Sequence, residues 1–305
     1  GEGVADLLDA VVSRLPSVEE AAEFPEDALR VALVGRPNVG KSSLLNAILG
    51  EERVVVSDVP GTTRDAVHTF FQRDEERYVL VDTAGIRRPG KVQGSVEYYC
   101  VLRASRAIES ADVAILVVNG EEGLVDGDKR VGGMAHERGR ACVIAVNKWD
   151  LMRKGYTRWT DSLARRIRTR FTAQLRAEMP FLDYAPVVFV SALLAENIDD
   201  LLDTVNDVAE QHARRVPTGE LNRVIQDAVE ANPRVEKGRA LRIYYATMSN
   251  VKPPTVVLFV NDPELMHFSY ERYLVNQLRE AFGYEGTPIK LVVRRRTREM
   301  ARQQE

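Results

Sequence analysis

Five apolar runs fix the fold of this chain: LRVALVG, YVLVDTAG, DVAILVVNG, ACVIAVNKWD and APVVFVSAL, spread from Leu29 to Leu193. Runs this continuous are buried on both faces, and stretches of helical spacing separate them. The combination requires a largely parallel sheet covered by helices on both sides. One segment departs from it. In TFFQRDEERYVL, two apolar stretches flank Arg73-Asp74-Glu75-Glu76, which predicts a hairpin and one antiparallel edge strand. The expectation is an α/β domain over residues 29–215 with a mostly parallel six-stranded sheet. After Pro217 the order becomes helix, strand, strand, helix, strand (GELNRVIQDAVEANP, RALRIYYATMS, TVVLFVND, ERYLVNQLREAFG, PIKLVVRRR), a small α+β domain over 217–298 followed by a tail, 299–305.

The opening GEGVADLLDAV matches AENIDDLLDTV (Ala195 to Val205) almost position by position. The second copy reads as the closing helix of the α/β domain. The first therefore reads as the last helix, residues 1–16, of a related upstream domain, with 17–28 an acidic linker. At 305 residues the chain has room for two domains, and 45% hydrophobic with 29% charged residues excludes a disordered chain. No apolar run approaches the roughly 18 residues of a membrane span, so no membrane partner is expected and a cytoplasmic location is the default. Cys100 and Cys142 both sit in apolar stretches and read as buried small hydrophobes, not a disulfide framework. A net charge of -3 excludes a uniformly basic nucleic-acid binder, but not a local basic patch.

The chemistry lies where the runs end. Gly35-Arg36-Pro37-Asn38-Val39-Gly40-Lys41-Ser42, continuing to Ser43, joins the first strand to a helix. In such a loop successive backbone N–H groups form an anion nest, aided by the positive end of the helix. Lys41 adds a point charge for the terminal phosphates, and the Ser42 hydroxyl suits Mg²⁺. The loop reads as a nucleoside triphosphate cradle. Asn147-Lys148-Trp149-Asp150 ends the fourth run, at the sheet edge where open α/β folds bind ligands. The Asp150 carboxylate can accept hydrogen bonds from guanine N1–H and the 2-amino group; adenine would leave it unpaired. Ser191-Ala192-Leu193 can offer backbone N–H groups to guanine O6. GTP and GDP are thus the expected ligands. Asp82-Thr83-Ala84-Gly85 closes the second run: Asp82 suits Mg²⁺ through a water, and the Gly85 N–H suits the γ-phosphate. In SDVPGTTRD, Thr63 is the expected second Mg²⁺ ligand, with Thr62 its competitor.

GRPNVGKS and PGTTRD resemble the Era/TrmE-like branch of translation-factor-like P-loop GTPases. From Arg242 to Leu291, RIYYATMSNVKPPTVVLFVNDPELMHFSYERYLVNQLREAFGYEGTPIKL is similar to the C-terminal domain of the Der (EngA) family, bacterial GTPases with two tandem G domains. The resemblance implies that residues 29–215 are the second G domain and 217–298 a KH-like domain. It implies GTP hydrolysis, a role in assembling the large ribosomal subunit, contact with ribosomal RNA, and an upstream G domain as an intramolecular partner. It also implies a K⁺ ion held between phosphates by Asn38 and the loop 57–63, where an arginine finger would otherwise act. That matters because the position after Gly85, a water-orienting glutamine in many GTPases, is Ile86 here. Arg36, Arg64, Arg87 and Arg88 are all near enough to be considered as fingers, and none is singled out; Asp65 reads as a turn cap or salt-bridge partner. Catalytic expectations therefore rest on Asn38, Lys41, Thr63 and Gly85.

KH domains grip RNA with a Gly-x-x-Gly loop between two helices. Gly283-Tyr284-Glu285-Gly286 lies instead between a helix and a strand, and Glu285 repels phosphate, so it reads as an accidental match. Lys290, Arg294, Arg295, Arg296 and Arg298 are better RNA-contact candidates. Phe268, Tyr270 and Tyr273 read as packing residues, with base stacking the alternative. Beside the ribosomal switch, two other functions remain open: a GTPase partner of an RNA-modifying enzyme, and a nucleotide-gated scaffold with negligible turnover.

Overall fold

A computed structural model describes residues 27–52, 54–57, 68–83, 96–154, 156–236 and 238–296, with residues 3 and 25. The expectations for residues 1–16, for most of the 17–28 linker and for the 299–305 tail lie outside the described residues.

Residues 27–213 build one sheet: β1 (Leu29–Val34), α1 (Lys41–Leu49), β2 (Val54–Ser57), β3 (Thr69–Arg73), β4 (Glu76–Val81), α2 (Val96–Ser110), β5 (Val113–Asn119), α3 (Asp126–Glu137), β6 (Ala141–Asn147), α4 (Asp161–Glu178), β7 (Val187–Phe189) and α5 (Ile198–Ala213). The strand order is β2-β3-β4-β1-β5-β6-β7, parallel from β4 through β7. β3 runs antiparallel to β4 around Asp74, as the hairpin pattern requires. The sheet has seven strands, not six: β2 adds to the free edge of β3. Its four residues hide the signal, because Val55 and Val56 are both exposed and the period-2 alternation is lost.

Alternation elsewhere is strict. In β1, Ala32 and Val34 join the core under α2, α3 and α4, while Val31 and Leu33 join the opposite core under α1 and α5. β5 and β6 are buried along their whole length, which is why they read as unbroken apolar runs. Cys142, in β6, is fully buried, and burial pushes its thiol pKa up to about 12.

The second unit comprises α6 (Thr218–Ala231), the short pair β8 (Val235–Glu236) and β9 (Arg239–Ala240), β10 (Ile243–Val251), β11 (Pro254–Val260), α7 (Phe268–Phe282) and β12 (Lys290–Arg295). β10, β11 and β12 form its sheet, with β12 parallel to β11. The helices cover one face and enclose a core of Leu221, Ile225, Ala246, Leu258, Leu274 and their neighbours. Tyr270 and Tyr273 donate their hydroxyls to Asn232 O and Ala228 O, both at 2.9 Å, and so pack α7 against α6.

The Gly283–Gly286 segment seats this unit on the first. The Cys142 N–H donates to Gly286 O (2.7 Å), and the Gly286 N–H donates to Tyr184 O (2.8 Å). Tyr284 N–H donates to the Gln211 side chain (3.1 Å), and the Arg279 guanidinium lies 4.9 Å over the Tyr184 ring. His212 and Thr287, both buried, hydrogen-bond across the same seam. Burial lowers the His212 pKa to about 4, so this brace is neutral at pH 7. The Gly-x-x-Gly is therefore not free to grip RNA, and its glycines are used for close approach. A Cβ on Gly286 would lie 2.2 Å from a Val208 methyl, at a φ of 71°. Gly286→Ala should cost about 1–3 kcal/mol through overpacking and expose the 214–217 connection to limited proteolysis. An unchanged melting temperature and protease resistance would contradict this seat.

Candidate functional site

The carboxyl ends of β1, β4, β6 and β7 bring the chemistry-bearing segments to one edge of the sheet. The phosphate loop leaves β1 at Gly35, which has a φ of 147°; a Cβ there would sit 2.5 Å from Val117 O of β5. Asn38 takes a left-handed turn (φ 65°) and is exposed on the loop's rim, while the Val39 side chain is buried beneath it. Gly40 caps α1 without a side chain of its own, and there is no acid in the first turn of that helix. Lys41 crosses the loop, donating from Nζ to Gly35 O (2.9 Å) and Arg36 O (2.7 Å). Ser42 and Ser43 follow on the exposed side of α1. The result is a concentration of backbone donors and one ammonium, with no competing carboxylate supplied by the helix.

One buried side chain joins this loop to the base-reading segments. Asn147, 2% exposed, donates from Nδ2 to Val39 O and accepts at Oδ1 from Ala192 N–H, each at 3.0 Å. Gly40 is pressed against it, since a Cβ would meet Asn147 Nδ2 at 2.2 Å. The sequence offered the Ala192 N–H to guanine O6; here Asn147 holds it, so a base must exchange that bond. The fully buried Ser191 donates to Asp150 Oδ1 (2.7 Å) and receives the Leu194 N–H (3.2 Å), which aims the carboxylate. Lys148 adopts a left-handed turn (φ 63°), and Leu193 stands exposed beside it at the loop tip. Trp149 brings no side chain to this edge. Its ring is 1% exposed and packs on Phe189 (4.9 Å) and Trp159 (5.6 Å), so only its backbone can belong to the site.

Asp82 ends β4 with a φ of 55°, and its N–H donates to His68 Nδ1 at 3.3 Å. Burial lowers the His68 pKa against the opposing pull of Asp82. Thr83 is buried and its hydroxyl meets that of Thr69 (3.0 Å), so its side chain serves packing. Thr62, Thr63, Arg64, Asp65, Ala84, Gly85, Ile86, Arg87, Arg88 and Arg298 lie outside the described residues.

Arg36 is turned away from the loop. Its guanidinium pairs with Glu122 and, at 3.4 Å, with the buried Asp128 of α3. Burial alone would lower its pKa, but these two carboxylates outweigh it and the net direction is up. Burial also raises the Asp128 pKa. Arg36 therefore enters the site through its backbone and is not a free finger. A second brace, Arg153 to Glu196 (3.0 Å), ties the segment after Asp150 to the loop after Ser191. Both braces escaped the sequence analysis, because nothing local marks partners 86 and 43 residues apart.

The basic cluster on β12 is less open than its sequence suggests. Lys290 and Arg294 are exposed, but Arg295 is paired with Asp262 (2.8 Å) and Arg296 lies 4.9 Å over the Tyr244 ring. Phe268 is exposed, unlike Tyr270.

A family model described as "50S ribosome-binding GTPase" matches residues 30–148, and one described as "KH-domain-like of EngA bacterial GTPase enzymes, C-terminal" matches residues 215–294. GTPase Der of Geobacillus thermodenitrificans is 53% identical over 97% of this chain, and that of Listeria monocytogenes 52% over 97%. The chain belongs to the GTPase Der family. It spans 66% of the length of each of these relatives. Among solved structures it is similar to Era of Aquifex aeolicus bound to GDP.AlF4-, at 21% identity over 88% of this chain and 93% of that one, with a TM-score of 0.44. A P-loop GTPase fold followed by an EngA-type KH-like domain is thus the architecture of this Der-family chain. Among the described residues, no helix is long and apolar enough to cross a membrane.

Proposed function

We propose that this chain binds GTP, hydrolyses it to GDP and phosphate, and acts as a switch in cytoplasmic assembly of the large ribosomal subunit. The observation that carries the nucleotide assignment is Asp150, held by Ser191 on the same sheet edge as the Lys41 loop and tied to it through Asn147. A carboxylate so placed pairs with the two guanine donors and is left unpaired by adenine. Backbone groups of residues 35–40 with Lys41 would hold the phosphates, Ser42 the start of the metal shell, and Leu193 the approach to the base. The family descriptions, which name a 50S ribosome-binding GTPase and an EngA KH-like domain, support the ribosomal partner. The domain division that follows is 29–215 and 217–298.

The donor set suits Mg²⁺. Ser42 is exposed at the start of α1, Asp82 stands at the adjacent strand end, and oxygen ligands of this kind are what a hard cation takes. Thr63 would complete the shell. Bound there, Mg²⁺ supplies charge neutralisation to the β- and γ-phosphates. With Ile86 unable to orient water and Arg36 engaged elsewhere, hydrolysis needs another source of fixed charge near the phosphates. Asn38, exposed on the rim of the loop, fits the K⁺ ligand implied by the TrmE-like motif.

Isothermal titration should show GTP and GDP binding and ATP binding far more weakly. Asp150→Asn should weaken GTP by about a hundredfold, the scale of losing one charge-assisted hydrogen bond pair; equal ATP and GTP affinity in the unaltered chain would end the guanine assignment. Turnover measured in KCl and in NaCl at equal ionic strength should differ at least several-fold in favour of KCl, and equal rates would remove the K⁺ ion. Large subunits should co-sediment with the chain more strongly in a non-hydrolysable GTP analogue than in GDP. Nucleotide-independent sedimentation would instead favour the scaffold.

A further inference from the structure

A strongly charged surface that the nucleotide site leaves unused is the outer face of α4. Its sequence, DSLARRIRTRFTAQLRAE, holds five arginines against two acids in a chain whose net charge is -3. Ala164, Ile167, Phe171 and Leu175 form the stripe that packs on the core. Arg165, Arg166, Arg168 and Arg170 therefore point elsewhere, and all four are exposed. Arg168 is committed, with its guanidinium 5.1 Å over the Trp149 ring and 5.8 Å over Phe189. The other three have no ion pair or side-chain hydrogen bond among the described residues.

This arrangement is unfavourable for the helix taken alone. Arg166 and Arg170 are an i,i+4 pair of like charge, which costs a few tenths of a kcal/mol in an isolated helix. The preceding loop extends the charge with exposed Lys154 and Arg158 and adds exposed Tyr156, packed edge-on against Trp159 (5.7 Å). On the flank of the same helix, Thr169 and Thr172 line a groove of about 650 Å³ floored by Val187, Val188 and Phe189. Hydroxyl groups that suit ribose and phosphate oxygens thus stand one helical step from the unpaired guanidinium groups.

We propose that this face binds the phosphate backbone of RNA, through Arg165, Arg166 and Arg170, as a surface separate from the β12 cluster of the second domain. Guanidinium forks match phosphate oxygens in pairs, and a row of them without internal partners keeps those donors for an external polyanion. Phosphate neutralisation by such a row releases counterions, so binding must fall with salt in proportion to the contacts made. The idea rests on the ribosomal partner proposed above for its place in the cell. Its test uses naked RNA and no ribosome, so the two fail separately.

The experiment is fluorescence anisotropy of the full 305-residue chain with a labelled single-stranded RNA across a KCl series. The combined variant Arg165→Gln, Arg166→Gln, Arg170→Gln should weaken binding at least about tenfold near 0.1 M salt and lower the log K against log salt slope by about 2, the value for three lost single-strand phosphate contacts. Its melting temperature should equal or exceed that of the unaltered chain, since like-charge repulsion is relieved. The corresponding triple lysine variant should keep the slope. Unchanged affinity and slope in the glutamine variant would overturn the proposal. So would a lysine variant as weak as the glutamine one, or displacement of the RNA by polyglutamate of equal charge, which would make the face a seat for acidic protein.

Discussion

Everything at the nucleotide edge depends on the Asn147 carboxamide. It is buried, and in that low-dielectric setting each of its polar ends must find a partner or incur a desolvation cost of about 1–3 kcal/mol. It meets that demand by joining three loops that leave three different strands: Val39 after β1, its own segment after β6, and Ala192 after β7. The strand order makes this possible, because β1, β5, β6 and β7 are consecutive neighbours in space although far apart in sequence. The loops after β1, β6 and β7 are therefore held in one frame, which lowers the reorganisation cost for any ligand bound between them. Gly40 is part of the same constraint, since any side chain there would collide with the amide.

The features legible in the sequence are those set by local chemistry. Continuous apolar runs announced β5 and β6, and the Asp74 turn announced the β3–β4 hairpin, because burial on both faces and tight turns each leave a pattern within ten residues. What escaped was decided by distant partners. Arg36 sits in the middle of the phosphate motif, yet Glu122 and Asp128 draw it outward. Trp149 sits inside the base-reading tetrad, yet Phe189 and Trp159 bury its ring, because that position's side chain points from the strand end into the core under α4. Motif membership assigned both to the ligand; packing assigned their side chains to the scaffold.

Gly-x-x-Gly shows the same division. Glycines that permit a backbone to approach phosphate equally permit it to approach another backbone. At residues 283–286 the second use is the one realised, with Gly286 hydrogen-bonded to both Cys142 and Tyr184 and pressed on Val208. On β12, Asp262 neutralises part of the basic cluster: Arg295 and Arg239 both pair with it, and Arg295 holds the Asp262 pKa down.

The seat of the second domain also constrains how the two ends of the molecule communicate. Cys142, the second residue of β6, carries the hydrogen bond to Gly286; Asn147, its last, carries the bonds to the loops after β1 and β7. The domain contact and the base-reading contact are thus opposite ends of one strand whose seven residues are all buried, a length of about 20 Å at the usual rise. A strand hydrogen-bonded on both sides and packed on both faces does not bend independently of its sheet, and close-packed interiors pass displacement along instead of absorbing it. The second domain is accordingly seated on the β5–β6–β7 side of the sheet, through Cys142 of β6 and Tyr184 ahead of β7. A rotation of the second domain away from this side of the sheet would have to break the Gly286 contacts.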